Sequence, residues 1–289
     1  VEDMALSLTD FDLDIPRAYL DTVPLQGTLT GTVRGAGFLD GLDLGADVVF
    51  HDRMVPGGAD NTVQAEGHLV FGGPEGTLFD TLALRHADFD LRTVALQAPV
   101  VKLRGRMQLE GELTGPWRNL TFSGTMRHQD GDLPESRATG YARLDTRRDT
   151  VRFETRMELE PLAFAGVRPG YPGLPLEGSI AGTVALAGKP DSFSTMAVVT
   201  GDLGTVAMQG VIRPGEGRFG ADSLVARFGR LDLARVRGTG PHTALTGRLA
   251  ASGVIDTAAG PAGQLELDLA RSSARGVGVD SAHATRGAS

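Results

Sequence analysis

Hydrophobic and polar residues alternate with a period of two along much of the chain, which is the pattern of a strand with one apolar face. In PLQGTLTGTVR (residues 24–34), Leu25, Leu29 and Val33 fall on one side, whereas threonines and an arginine fall on the other. Turn motifs rich in Gly and Pro interrupt these stretches about every 8 to 12 residues, as expected for antiparallel strands. The pattern predicts an all-β protein with a mostly antiparallel sheet and little or no helix. Only residues 16–22 are compatible with a turn or two of helix.

The apolar side of the predicted strands combines large side chains with glycines. Its large side chains are Leu25, Leu29, Val33, Leu103, Met107, Leu109, Leu113, Leu176, Ile180, Val184, Leu186, Met208, Leu245 and Leu249. The glycines in phase with them are Gly27, Gly31, Gly105, Gly111, Gly178, Gly182, Gly210 and Gly247. Glycine in a strand marks a bend or a close backbone approach. The face therefore suits a tightly curved sheet, a surface that leaves room for another molecule, or a face that receives large side chains from a second sheet.

Two landmarks recur along the chain and indicate internal repeats. The leucines Leu13, Leu91, Leu162 and Leu233 are 78, 71 and 71 residues apart, and a glycine follows each after 14, 14, 16 and 14 residues. The longer third interval contains RPGYPGLP (residues 168–175), which we interpret as a loop insertion. The spacing predicts one elongated repeat array over residues 1–289, with about six strands in each repeat. Its approximate repeats are 11–86, 87–158, 159–228 and 229–289.

Composition excludes several classes of protein. The net charge of −8 and the lack of a basic stripe argue against nucleic-acid binding. The absence of cysteine excludes disulfides and thiolate sites, and no apolar run of about 18 residues is available to span a membrane. The sequence opens on VEDMALSLTD and closes on ATRGAS, both within a strand pattern. We therefore interpret it as a fragment of a longer protein whose anchor or signal lies outside it.

No arrangement of titratable residues predicts catalysis or a metal site. The six histidines (His51, His68, His86, His128, His242 and His283) lack the spacing of metal ligands and are expected at the surface or in turns. DGDLPE (residues 130–135) lacks the ligand spacing of a calcium loop and is expected to be an exposed turn. Glu154, Glu158 and Glu160 alternate as a solvated strand face would. The prediction is a non-enzymatic protein with no catalytic residue, no metal and no cofactor.

Three stretches carry a resemblance to a known family: residues 11–35, residues 111–126 and residues 174–199. Their L-x-G-x-L-x-G cadence, with a G-x-x-x-x-P continuation into another strand, resembles the TamB/AsmA-like proteins of the Gram-negative envelope. The resemblance covers most of the chain. It implies a long β-sheet folded lengthwise into a U-shaped groove (a β-taco) with an apolar inside. It also implies a periplasmic protein, anchored in the inner membrane by a segment that is not in this sequence.

The resemblance further implies that the fourteen large apolar residues and the eight glycines named above line this groove. The groove would shield phospholipid acyl chains and conduct phospholipids between inner and outer membranes. An acyl chain loses about 0.8 kcal/mol for each CH₂ group exposed to water, and an apolar groove would offset that cost. Membrane contact would occur through parts outside the fragment, and an outer-membrane barrel is a candidate partner. Two alternatives remain open: a surface adhesin or structural β-repeat protein with a filled core, and a β-helical polysaccharide-active enzyme.

Overall fold

The computed structural model describes residues 3–14, 25–38, 40–73, 76–99, 101–172, 176–215, 218–256, 260–275 and 277–288. Strands account for 72% of the structure and helices for 6%. The 18 strands formed by these described residues belong to one antiparallel sheet that is not closed. The prediction of an all-β, mostly antiparallel fold with little helix is therefore confirmed. The possible helix at residues 16–22 lies outside the described residues.

The strands are β1 (Met4–Asp12), β2 (Gly27–Phe38), β3 (Gly41–Asp52), β4 (Ala59–Gly73), β5 (Gly76–Asp90), β6 (Arg106–Pro116), β7 (Asn119–Gln129), β8 (Ser136–Asp145), β9 (Arg152–Ala163), β10 (Ser179–Lys189), β11 (Ser192–Gly201), β12 (Gly204–Gly215), β13 (Arg218–Leu231), β14 (Thr243–Asp256), β15 (Gly260–Leu269), β16 (Ser272–Ala274), β17 (Val277–Val279) and β18 (Ala282–Ala288). From β1 to β15 each strand pairs with the next one along the chain, and β15 then pairs with β18. The short strands β16 and β17 pair with each other, and β16 also pairs with β14. A β-helix is built of parallel rungs, so the alternative of a β-helical fold is wrong.

In the part of the chain that the structure describes, three short helices recur at regular places in this meander: α1 (Leu91–Gln97), α2 (Phe164–Val167) and α3 (Leu233–Arg237). They follow β5, β9 and β13, so four strands separate each helix from the next. The expectation of about six strands in each repeat is wrong. Strands of 10 to 15 residues are common in the sheet. They are longer than the strands that the spacing of the turn motifs predicted, so fewer of them fit into one repeat.

The same backbone hydrogen bond recurs at the ends of β1, β5 and β9. The amide donors and carbonyl acceptors are Leu13 and Gly27 (3.0 Å), Leu91 and Gly105 (2.9 Å), and Phe164 and Gly178 (3.0 Å). Each bond spans 14 residues, so Phe164 is the equivalent of Leu91. The alignment of Leu162 at this position, which required a loop insertion in the third interval, is therefore wrong.

An aspartate precedes two of the helices and stabilises the chain reversal there. Asp90 Oδ1 accepts a hydrogen bond from the Arg92 amide (2.9 Å), and Asp232 Oδ1 accepts one from the Ala234 amide (3.1 Å). Such N-caps satisfy a helix amide that has no partner within the helix. Hydrogen bonds from the Arg92 side chain lower the pKa of Asp90 below its ordinary value. These two aspartates were not identified from the sequence, although an Asp directly before a helix start is a recognised signal.

The chain divides into two compact units. Unit 1 comprises residues 1–139 and 169–171, and unit 2 comprises residues 140–168 and 172–289. The hydrophobic core of unit 1 contains the buried residues Ala65, Leu69, Leu82, Leu84 and Phe122. Half-buried side chains from β3 to β7 pack around this cluster, and they include Leu109, Leu113 and Met126. In unit 2, Met157 and Ala197 are buried on either side of Val184, their partner in the register.

Candidate functional site

The predicted apolar side of unit 1 forms one face of the sheet. Directly opposed residues of antiparallel strands point to the same side. In the register of this unit, Leu29 is opposite Phe50, Met107 is opposite Phe89, and Leu113 is opposite Leu82. We call this surface the unit 1 apolar face. The strand register therefore brings the predicted residues of β2 and β6 together with apolar residues of the strands beside them.

Unit 2 carries an equivalent surface, which we call the unit 2 apolar face. Met208 of β12 lies between Ala197 of β11 and Ala226 of β13 in the register. Leu249 of β14 lies between Ala226 and Leu267 of β15. The predicted residues of β10, β12 and β14 thus belong to one side of the sheet.

Three predicted lining residues lie just before the strands that they were expected to begin. Leu25, Leu103 and Leu176 precede β2, β6 and β10, which begin at Gly27, Arg106 and Ser179. These three leucines occupy equivalent places in successive repeats. The alternation in the sequence thus continues a few residues beyond the hydrogen-bonded strand.

All fourteen predicted lining side chains are half-buried in the structure, none buried and none exposed. A side chain in the core between two packed layers is usually buried, because it is covered on all sides. A side chain on the open face of a single layer is expected to be half-buried, because only its neighbours on the same face cover it. In unit 1, Leu109 and Leu113 additionally contact the core cluster.

The glycines on these faces mark close approaches between strand backbones. Gly111 has φ = +153°, and a Cβ atom added to it would lie 2.6 Å from the Cα atom of Gly124 and closer still to the Ser123 carbonyl oxygen. Gly182 has φ = +127°, and a Cβ there would meet the backbone of Val198 and Val199. Glycine is required at such places because other residues rarely adopt these angles. Glycine therefore occupies these positions because the neighbouring backbone leaves no room for a side chain. The apolar surface is also smoother there.

Replacing Gly111 with alanine is expected to destabilise unit 1 by about 2 kcal/mol, because the added methyl group collides with the backbone of β7. Hydrogen exchange of the β6 and β7 amides measures this loss. Gly45→Ala is the matched control on β3, since the nearest atom to its added Cβ is the Arg34 Cβ atom at 4.0 Å. Equal stability of the two variants would contradict the close-approach explanation.

Several residues of the two apolar faces were missed by the sequence analysis. Phe122 and Met126 of β7 lie opposite Leu113 and Leu109, and the alternation in FSGTM was the signal that could have identified them. In β13 the register shifts between Ala221 and Leu224. A bulge of this kind changes the phase of the alternation, so no uniform period marks β13 in the sequence.

The side of the sheet opposite the apolar face, which we call the outward side in both units, is polar in unit 1. Charged side chains pair across neighbouring strands there, as in Arg106 with Asp88 (Nε to Oδ1, 2.7 Å) and His68 with Asp43 (Nδ1 to Oδ1, 2.9 Å). Each such exposed pair contributes at most about 1 kcal/mol. The face therefore suits contact with water. Over β10 to β12 the outward side is less polar, and Met196 and Val198 are 59% and 61% exposed.

Three of the six histidines, His51, His242 and His283, are exposed, whereas His68 and His86 are half-buried. Residues 131, 132, 134 and 135 of the DGDLPE turn are exposed, as are Glu154, Glu158 and Glu160. His128 differs from expectation, because it is buried and its Nε2 lies 2.7 Å from the Arg104 carbonyl oxygen. Glu266, Asp268 and His283 bring three potential ligand atoms within 4.8 Å of one another, but Asp268 already pairs with His283 (2.5 Å).

Comparison of the chain with protein-family models, with curated proteins and with solved structures found no match. Among the described residues, no helix is both long and apolar enough to cross a membrane.

Proposed function

We propose that this protein is a non-enzymatic cell-envelope protein whose apolar sheet faces shield phospholipid acyl chains and conduct phospholipids between the inner and outer membranes. The observation that supports the proposal most directly is the half-burial of all fourteen predicted lining side chains. Their accessible area supplies an apolar surface that a hydrocarbon chain can cover.

The energetics favour an acyl chain as the ligand of such a surface. Transfer of each CH₂ group from water to apolar surroundings is favourable by about 0.8 kcal/mol of free energy. This stabilisation needs no directional polar group. A face of Leu, Ile, Val and Met with interspersed glycines offers little specificity for the position of the chain along it. A lipid can then slide from one strand to the next at small cost, while its head group remains in water.

The proposal includes a cellular setting. We place the protein in the periplasm as a member of the TamB/AsmA-like group, held at the inner membrane by a segment outside the sequence, with an outer-membrane barrel as a candidate partner. This setting rests on the L-x-G-x-L-x-G cadence of residues 24–31 and 175–182. The charged outward side of unit 1 is compatible with an aqueous compartment.

A second candidate function is a structural or adhesive β-repeat protein that binds a partner through the exterior of the sheet. The exposed Met196 and Val198 on the outward side favour it, because neighbouring exposed apolar side chains offer a surface that a partner can cover. The two functions differ in which side of the sheet meets the ligand.

Site-specific photocrosslinking distinguishes the sides. A photoreactive residue at Leu29, Met107 or Ile180 is expected to capture phospholipid, because each position lies on an apolar face. The measurement is mass spectrometry of the crosslinked protein after illumination in cells. Matched outward controls on the same or the next strand are Thr32, Glu110 and Thr200, all of them exposed.

At least a tenfold excess of lipid adducts at the apolar positions is expected, in line with the free energy of burying two or more CH₂ groups. Equal capture at the outward controls would contradict the lipid proposal. Protein adducts at Thr200 without lipid adducts at Ile180 would favour the structural or adhesive function instead.

A further inference from the structure

The unit 2 apolar face contains a trough whose described lining residues include one charged side chain. The trough has a volume of about 360 Å³ and is bounded by β13, β14, β15 and β18. Its apolar wall includes Phe219, Ala221, Leu224, Leu249, Ala251 and Leu265. This volume lies at the lower end of the range for small-molecule sites, which suits a segment of a hydrocarbon chain.

Arg286 is the charged residue of this lining. It lies on β18 directly opposite Leu265, so its side chain shares the apolar side of the sheet. Several arginines on the other side of the sheet pair with a carboxylate of a neighbouring strand, for example Arg106 with Asp88. Among the residues that the structure describes, Arg286 has no hydrogen-bond or ion-pair partner.

An unpaired guanidinium beside an apolar trough is complementary to an amphiphile with an anionic head. A guanidinium binds phosphate oxygens through two parallel hydrogen bonds, while the apolar wall covers the adjoining chain. Phe219 and Leu265 are 43% and 42% exposed, so apolar surface adjoins the charge and remains accessible to a ligand. The chemistry therefore favours a lipid phosphate over a free anion, since a free anion would leave these side chains uncovered.

We infer that the trough of unit 2 is a binding site for anionic lipid, with the lipid phosphate at Arg286 and an acyl segment against Leu249 and Leu265. This inference rests on the proposed function, and it adds a preference for the charge of the head group. The outward Arg248, which precedes Leu249 on β14, offers the matched control because its side chain is exposed on the other side of the sheet.

The test uses two photoreactive probes with the same dodecyl chain, an alkyl phosphate and the corresponding uncharged alcohol. Mass spectrometry measures the labelling of the whole chain as a function of probe concentration, and the concentration at half-saturation gives the affinity. The wild-type protein is expected to bind the phosphate about fivefold more tightly than the alcohol. Arg286→Gln is expected to remove this preference and leave the affinity for the alcohol unchanged. Arg286→Lys is expected to retain part of it, and Arg248→Gln all of it.

The outcomes separate the two proposals. If neither probe labels the apolar faces, the proposed lipid function fails and this inference fails with it. If both probes bind and Arg286→Gln leaves the preference for phosphate intact, only the inference is overturned. Inorganic phosphate is expected to compete weakly. Complete competition by inorganic phosphate at a concentration equal to that of the alkyl phosphate would show a free-anion site and would also overturn the inference.

Discussion

Replacing Ile180 with aspartate is expected to lower phospholipid transfer by the protein about tenfold or more. Ile180 lies on the unit 2 apolar face, opposite Leu162 of β9 and Gly201 of β11. A carboxylate at this point would have to lose water whenever an acyl chain passed over it, and such desolvation costs several kcal/mol. Each 1.4 kcal/mol added to the barrier slows passage about tenfold.

The measurement is the movement of a fluorescent phospholipid from donor to acceptor vesicles in the presence of the purified chain. Because Ile180 is only half-buried, the variant is expected to remain folded, and circular dichroism checks that it does. Thr200→Asp is the control on β11, since Thr200 is exposed and points to the other side of the sheet. Undiminished transfer by folded Ile180→Asp would exclude this face as the lipid path.

Replacing Phe122 with alanine is expected to destabilise unit 1 by about 3 to 5 kcal/mol, the usual cost of removing a buried aromatic ring. Phe122 is 8% exposed and belongs to the core cluster with Leu82 and Leu84. Its partner in the register is Leu113. The ring fills space between strands of one sheet, where its loss leaves a cavity that the neighbouring side chains can only partly occupy.

Hydrogen exchange of the β5 to β7 amides measures this effect within unit 1. Phe38→Ala is the matched control, because Phe38 ends β2 with 75% of its surface exposed and is expected to cost at most about 0.5 kcal/mol. A small effect at Phe122 would mean that the cluster is not the core of the unit. Unit 1 would then owe its stability mainly to strand pairing.

Local patterns in the sequence identified the strands and their apolar side. The alternation in residues 24–34 was sufficient to place Leu29 and Val33 on the face that the strand register later defined. Alternation of this kind is a property of each strand alone, because successive side chains of extended backbone point to opposite sides. Distant residues are not needed to recognise it.

The repeat landmarks were recognised as local patterns too, but their alignment was not. Leu162 and Phe164 are both apolar and two residues apart, so they have the same phase and the sequence does not distinguish them. The hydrogen bond from the Phe164 amide to the Gly178 carbonyl oxygen shows that Phe164 is the equivalent residue. Such a bond depends on where the following strand begins, and the residue pattern does not specify that point.

The role of the glycines likewise depended on contacts between strands. From the sequence, Gly111 was compatible with curvature, with open space or with an incoming side chain. The position of the Gly124 backbone shows a close approach, and this is a relation between β6 and β7 that neither strand contains by itself.

The sequence alone thus determined the fold class, the strand phase and the apolar character of one side, since each follows from the residues of a single strand. Only the tertiary structure decided the repeat of four strands between successive helices, the bulge in β13, the burial of Phe122 and the position of Arg286 beside Leu265. The physical reason is that these features arise from the register of paired strands. Register is set by the sum of many weak contacts between residues that are far apart in the chain.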